Sequence, residues 1–247
     1  MRDASIYQVV LSDAVVPYLD PGFQPLDWRA NPEPGLREIA IHAHVAREGL
    51  YRGRGLTGVL SAKFHAKTRL VSGDVRSWIA DHPGHDIYLI SGHPHSPYFA
   101  FDSFERGGML FGADFDGLIR QVCERLGMPV PDGPGRQSNR NLALASYWVA
   151  TPDFWRAWYR DVIEPILSEE VLGAELFARV HADRKYQPGA PRVYLAPFIY
   201  ERLVSLYVAR HGVRARFWPW SHQEILGLRL ARPAKDCLAR IMPVIDA

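Results

Sequence analysis

Apolar positions follow one another along the chain in two ways, as short unbroken runs and as stripes with helical spacing. The runs are rich in β-branched and aromatic residues, and they predict strands at residues 5–11, 56–61, 86–90, 142–150 and 213–220. The stripes predict helices at residues 35–49, 72–84, 114–127, 153–164 and 197–212, with a short turn or helix at 62–68.

The alternation of strands and helices predicts an α/β protein with a single mixed sheet flanked by helices. The Pro- and Gly-containing loop at 127–140 is a weak internal boundary, so we expect one domain over residues 1–247. A capping box from Ser221 to Glu224 predicts a C-terminal helical extension from about residue 221.

Several helix ends carry their own signals. Ser72 is the expected N-cap of the helix at 72–84. Thr151, followed by Pro152, is the expected start of the helix at 153–164. In that later helix, apolar pairs recur every four residues, which predicts a buried face that includes Trp158. Pro165 is expected to kink or end it.

Composition narrows the function classes. The chain has 247 residues, 47% of them hydrophobic and 23% charged, which is ordinary for a globular protein. Its 29 basic and 27 acidic residues leave a net charge of +2, which argues against nucleic-acid binding. Two cysteines exclude a disulfide framework and a cysteine-based zinc site. No run reaches the roughly 18 apolar residues of a transmembrane helix, and no signal peptide is recognisable, so we expect a cytoplasmic protein.

The common catalytic fingerprints are missing. The chain has no Gly-rich phosphate loop, no H-E-x-x-H and no G-x-S-x-G, which argues against a dehydrogenase, a kinase, a zinc protease and an α/β-hydrolase. Asp114 and Asp116 form a D-x-D pattern, but they precede a strong helix, where aspartates serve as caps.

The stretch GHDIYLISGHPH, residues 84–95, is the first candidate for chemistry. Ligands of open α/β sheets bind outside the carboxyl ends of the strands, which places His93 and His95 on the ligand side. Two histidines do not complete a structural zinc site, so we expect no metal there. Asp86, at the other end of the strand, is either a strand-end cap or a catalytic acid.

Two further segments could bind a ligand. Lys63 and Lys67 follow the strand that ends at Ser61, with helical spacing, so they are either a phosphate clamp or a solvated face. The loop around Asn141 carries arginines and amides that could hold hydroxyls or phosphates, and an ordinary surface loop explains them equally well.

Several segments together resemble a family of bacterial glycosyltransferase-like proteins found in capsule and surface-polysaccharide contexts. The family pattern G-x-x-S-x-[KR]-F-x-x-K-T matches GVLSAKFHAKT at 58–68. P-x-x-D-V-Y corresponds to PGHDIY at 83–88, with Ile87 at the Val position, and N-Y-x-V-A-x-x-x-F-W corresponds to SYWVATPDFW at 146–155. The resemblance covers residues 6–210. The chain also departs from the pattern at Leu36, which replaces the Trp of the family stretch N-x-R-x-x-W-R-E, and at Ser146, which replaces Asn.

The resemblance implies a GT-A-like sheet that transfers a sugar from a nucleotide-activated donor to a surface glycan, with the strand at 86–90 in the centre. It implies donor or phosphate binding by Arg37, Ser61, Lys63 and Lys67, acceptor or sugar binding by Tyr88 and Tyr147, and general base catalysis by Glu105, expected in a loop, or by Asp86. His93 and His95, at the strand end, and Asn141, in its loop, are further candidates for acceptor or sugar binding.

The resemblance leaves three matters open. A divalent cation, magnesium or manganese, could accompany the nucleotide sugar. The protein could associate with other proteins of polysaccharide synthesis. The departures from the pattern favour an alternative, a non-catalytic glycan- or nucleotide-binding accessory module.

Overall fold

The computed structural model describes residues 4–53, 55–130, 132–185 and 192–245. Its strands are β1 Ala4–Val10, β2 Gln24–Asp27, β3 Leu56–Leu60, β4 Ile87–Ile90, β5 Tyr147–Ala150, β6 Asp183–Lys185, β7 Arg192–Tyr194 and β8 Ala215–Phe217. Its α-helices are α1 Glu38–Arg47, α2 Phe64–Thr68, α3 Ser72–Asp81, α4 Ser103–Phe111, α5 Asp114–Arg125, α6 Pro152–Trp158, α7 Glu164–Ile166, α8 Glu169–Leu172, α9 Ala174–Val180, α10 Ala196–Arg210, α11 His222–Gly227 and α12 Arg232–Ile245. None of these helices is long and apolar enough to cross a membrane.

The main sheet has six strands in the order β2-β1-β3-β5-β4-β8, and β6 pairs with β7 in a separate hairpin. β1 runs parallel to β2 and β3, β4 runs parallel to β8, and β5 runs antiparallel to both of its neighbours. The predicted α/β fold with a single mixed sheet flanked by helices is therefore confirmed. The expectation that the strand at 86–90 is central is wrong, because β4 lies next to the edge strand β8.

Side chains that alternate along the strands contribute to two hydrophobic cores, one on each face of the sheet. Val59, Leu89 and Trp148 belong to the core beneath α1, α6 and α10. Leu60 and Ile90 belong to the opposite core, which also contains apolar residues of α3, α11 and α12. Because every second residue points to the same face, a continuous apolar run fits a sheet that is covered on both sides.

The helix that starts after Thr151 is built as its sequence predicts. The Thr151 hydroxyl accepts a hydrogen bond from the Phe154 N–H, and Pro152 occupies the first turn. Trp158 is fully buried, which confirms the predicted apolar face. Residues Tyr159–Ile163 form a π-helical turn that leads into α7, so the helical course passes through Pro165. A proline has no N–H for the usual bond to the carbonyl four residues back, and the wider π turn accommodates that loss.

Two local predictions were wrong for identifiable reasons. Ser72 is not an N-cap but the first residue of α3, and its hydroxyl donates to Asp20, while Asp74 accepts from the Val71 N–H. The strand predicted at 142–150 is only four residues long, because Ala145 and Ser146 have φ angles of 79° and 54°, which extended strands do not adopt.

Glu105 does not lie in a loop. It belongs to the first turn of α4, where the Asp102 carboxylate accepts hydrogen bonds from the Phe104 and Glu105 N–H groups. Asp102 is thus an N-cap, and it starts a helix that the glycine pair after Arg106 conceals in the sequence.

Candidate functional site

A cavity of about 470 Å³ opens at one edge of the main sheet. Val9 and Ser61 bring the carboxyl ends of β1 and β3 to its wall, and Tyr147 brings the amino end of β5. All three ends meet at the same edge because β5 runs antiparallel to β3. We call this space the sheet-edge cavity.

The sheet-edge cavity brings together residues that are far apart in the chain. Its wall includes Arg37, just before α1, and Lys63 and Lys67, which follow β3. The four residues expected to bind a donor, these three cations and Ser61, therefore line one cavity, together with Tyr147 from the expected sugar-binding set.

Lys67 is the most enclosed of the three cations. Its Nζ lies 3.3 Å from His93 Nε2 and 5.7 Å from the centre of the Tyr147 ring. Burial lowers the pKa of Lys67, and the carboxylates of Glu201 and Glu38 act in the opposite direction. Burial and the charge of Lys67 lower the pKa of His93 to about 3, so the neutral ring accepts a hydrogen bond from the ammonium.

A glycine allows close packing of two segments beside the Lys67 side chain. A Cβ atom at Gly92 would lie only 2.7 Å from the Ala145 Cβ, whereas its distance of 3.4 Å to the Lys67 Cδ would be an ordinary contact. Gly92 therefore lets the segment that follows β4 pack closely against the segment that enters β5.

Hydroxyl groups line the floor of the cavity beside the cations. The hydroxyls of Ser61 and Tyr147 share a hydrogen bond of 2.7 Å, and the Ser61 oxygen also accepts from the Lys63 N–H. Burial raises the pKa of Tyr147, so its hydroxyl stays protonated. The buried hydroxyl of Ser146 has no hydrogen-bond partner in the protein.

Two carboxylates accompany the cations. Glu38 lines the cavity, with its Oε2 4.0 Å from the Arg37 Nε. The Glu201 side chain is 17% exposed and lies 3.9 Å from the Arg202 guanidinium. Burial and the neighbouring charge of Glu38 raise the pKa of Glu201. Sequence reasoning missed Glu201, although the charged pair Glu201–Arg202 inside the otherwise apolar helix α10 was a signal.

Strained backbone is concentrated around this cavity. In the described ranges, five residues other than glycine have positive φ angles, and four of them, Asn31, Arg37, Ala145 and Ser146, line the sheet-edge cavity. Such conformations cost free energy and cluster at binding and catalytic sites. Their distribution marks the cavity independently of its charges.

The other expected site residues lie outside the cavity wall. Asp86 lies at the amino end of β4, which is at the opposite edge of the sheet. It forms an ion pair with Arg214 at 2.7 Å and so links the starts of β4 and β8. The Tyr88 hydroxyl donates to the His82 carbonyl at the end of α3. The Glu105 carboxylate accepts from the Phe101 N–H, and Asn141 accepts from Ser138 in its own loop.

His95 lies next to His93, with the two ring centres 5.8 Å apart. Burial and the charge of Arg106 lower the pKa of His95 to about 4, and its Nδ1 has no hydrogen-bond partner in the protein. His93 borders the sheet-edge cavity through Lys67, and the half-buried His95 lies beside it.

The cavity's donor set does not fit a divalent cation. Glu38 is the one carboxylate among the described residues of a wall that carries three cations, and no group of three or more metal-binding side chains occurs in the described part of the chain. Asp114 and Asp116 lie in the first turn of α5 but do not cap it, because the N-cap position is Ala113, and Asp116 instead pairs with Arg120 at 2.8 Å.

The arrangement is suited to an anionic ligand with an apolar part. Three cations and the hydroxyls of Ser61 and Tyr147 can bind phosphate oxygens, and the apolar side chains of Trp28, Ile41 and Val59 form an apolar part of the wall.

Comparisons with protein-family models, with curated proteins and with solved structures found no match for this chain.

Proposed function

We propose that the protein is a glycosyltransferase that binds a nucleotide-activated sugar in the sheet-edge cavity and transfers the sugar to a surface glycan. The observation that carries this proposal is the convergence of Arg37, Lys63 and Lys67 in one cavity at a strand-end edge. Ligands of open α/β sheets bind at such edges. The mixed sheet is compatible with the GT-A-like architecture that the sequence resemblance implies.

The charges of the cavity match the chemistry of the leaving group. A departing nucleoside diphosphate gains negative charge on its bridging oxygen, and pre-positioned cations stabilise that charge most effectively where water is excluded. Lys67 is partly desolvated and held by His93 and the Tyr147 ring, so it is already in place for this role. Lys63 and Arg37 are exposed at the mouth, where they can attract the phosphates.

A carboxylate that lines the sheet-edge cavity is a better candidate for the general base than the two carboxylates expected from the sequence. Glu105 and Asp86 lie outside the cavity wall, whereas Glu38 lines it. We therefore assign to Glu38 the removal of the proton from the acceptor hydroxyl. The proton leaves the hydroxyl as its oxygen bonds to the sugar carbon and the bond to the diphosphate breaks.

The first test removes the cations one at a time. Lys63→Ala and Lys67→Met should each weaken the binding of UDP or GDP about tenfold or more, because each loses one charge-assisted contact. Binding is measured by isothermal titration calorimetry, after a thermal-shift panel of nucleotide sugars has chosen the base. Lys235→Ala, on α12, is the matched control and should bind as the wild type does. If both cation variants bind like the control, the diphosphate site is wrong.

The second test asks for turnover. A transferase hydrolyses its donor slowly without an acceptor, and Glu38→Gln should reduce that rate about a hundredfold while nucleotide binding persists. Release of nucleoside diphosphate reports the rate, and Glu105→Gln is the control that should leave it unchanged. Unchanged hydrolysis by Glu38→Gln would exclude Glu38 as the base.

A binding module is the second candidate. The positions of Glu105 and Asp86 favour it, because neither of the two expected catalytic carboxylates reaches the cavity. Such a module would bind the nucleotide through the same cations and show no donor hydrolysis. Binding that depends on Lys67 without any release of nucleoside diphosphate would select this second function.

A further inference from the structure

A second cavity, of about 650 Å³, lies at the carboxyl end of β8, against the loop at 138–140. Phe217, Trp218 and Trp220 supply its aromatic wall, and Asn139, Arg140 and Arg216 supply polar groups. We call it the tryptophan cavity. Its volume is in the range of small-molecule binding sites.

Unsatisfied polar atoms are concentrated on this wall. The indole N–H groups of Trp218 and Trp220, the Arg216 Nε and the Asn139 Oδ1 are all buried without a hydrogen-bond partner in the protein. Buried polar groups are nearly always paired, so four on one cavity wall require an explanation. These atoms have almost no solvent-accessible surface, so a ligand that offers acceptors and donors reaches them only when the side chains of the wall shift.

The aromatic side chains favour a sugar ring among such ligands. The Trp218 and Trp220 ring centres lie 6.2 Å apart at an angle of 54°, so the two indoles form a bent wall rather than a closed stack. Indoles combine a large apolar face with one hydrogen-bond donor, which matches the apolar C–H face and polar rim of a pyranose.

The charge of the wall favours an acidic sugar. Arg140 is exposed and Arg216 half-buried, and the cavity residues that the structure describes include no aspartate or glutamate. A guanidinium binds a carboxylate through two parallel hydrogen bonds, which a neutral hydroxyl cannot reproduce.

We propose that the tryptophan cavity binds a uronic acid residue of a glycan, with the sugar face on the half-buried Trp218, beside the buried Trp220, and the carboxylate on Arg140 and Arg216. This site uses none of the side chains of the sheet-edge cavity and is independent of the proposed transferase activity. The unpaired indole N–H groups are shielded from solvent. A bound sugar is therefore expected to shift the rings, and tryptophan fluorescence will report the shift.

The test compares an acidic with a neutral tetrasaccharide. A tetrasaccharide of alternating glucuronate and N-acetylglucosamine should bind the wild-type protein at least tenfold more tightly than the neutral N-acetylglucosamine tetramer. Arg140→Ala should weaken the acidic probe about tenfold and leave the neutral one unchanged. Trp220→Phe keeps an aromatic ring but removes the N–H, and it should weaken both probes several-fold.

Two controls separate this site from the donor site. Arg210→Ala, exposed at the end of α10, removes the same charge elsewhere and should leave both tetrasaccharides unaffected. Lys63→Ala should weaken UDP or GDP but not the acidic tetrasaccharide, and Arg140→Ala should do the reverse. No binding of the acidic probe, equal binding of the two probes, or full binding by a folded Arg140→Ala protein would each overturn the proposal.

Discussion

Replacing Trp158 by alanine is expected to lower the free energy of unfolding by about 3–5 kcal/mol. The side chain is fully buried, and its ring packs against Phe154 at 6.0 Å and Tyr207 at 5.2 Å between ring centres. Its Nε1 also donates to the Tyr200 hydroxyl at 2.7 Å. The substitution removes all of these contacts and leaves a cavity, and urea unfolding at neutral pH measures the loss.

Two variants show which part of the indole matters. Trp158→Phe keeps much of the ring and removes the N–H, and the Tyr200 hydroxyl retains its hydrogen bond to His42, so the cost should fall to about 1–2 kcal/mol. Tyr18→Ala removes an aromatic ring that is 76% exposed and should cost less than about 0.5 kcal/mol. A loss below 1 kcal/mol for Trp158→Ala would contradict the packing described for α6.

Acidification from pH 6.5 to pH 5 is expected to lower the unfolding free energy by up to about 5 kcal/mol. Burial lowers the pKa of His42 and His93 to about 3 and that of His95 to about 4, from an ordinary value of 6.5. Across this window the unfolded chain gains protons at these three histidines while the folded protein does not, so stability falls as the pH falls. The raised pKa of Glu201 has the opposite sign and offsets part of the loss.

The matching experiment follows urea unfolding at several pH values across that window. The double variant His93→Asn/His95→Asn should lose about two thirds of the pH dependence, because only His42 then remains of the three buried rings. His65→Asn changes an exposed histidine and should keep the wild-type dependence. A double variant with the wild-type slope would refute the assignment to these rings.

The sequence predicted the elements whose local signals agree with their tertiary environment. Thr151 and Pro152 start α6 as expected, because a hydroxyl cap and a fixed proline φ act within one helical turn. β2 was missed because the prolines around it conceal a short edge strand that depends on pairing with β1. The beginning of β5 was misplaced because Ala145 and Ser146 adopt positive φ angles that neither residue type favours.

The residues of the candidate site likewise fall into those that the sequence could place and those that depend on tertiary packing. Lys63 and Lys67 could be placed because they directly follow a strand, and strand ends meet at a sheet edge. Asp86 could not be resolved from sequence, because its partner Arg214 is 128 residues away. The charged pair Glu201–Arg202 marks an unusual position in α10, but only the packing of that helix shows that Glu201 lies near the cations. Glu105 was chosen because a loop was expected there, and the N-cap Asp102 places it in α4 instead.

The position of β5 in the main sheet also determines when that sheet can be completed while the chain is being synthesised. Among the strands that the structure describes, β5 alone joins the β2-β1-β3 part of the main sheet to the β4-β8 part. β3 and β4 emerge from the ribosome well before β5, and until residue 150 is available each presents an unpaired edge of residues that are buried in the folded protein. Such edges are sites of aggregation, so we expect the nascent chain to benefit from chaperone protection until β5 inserts between them.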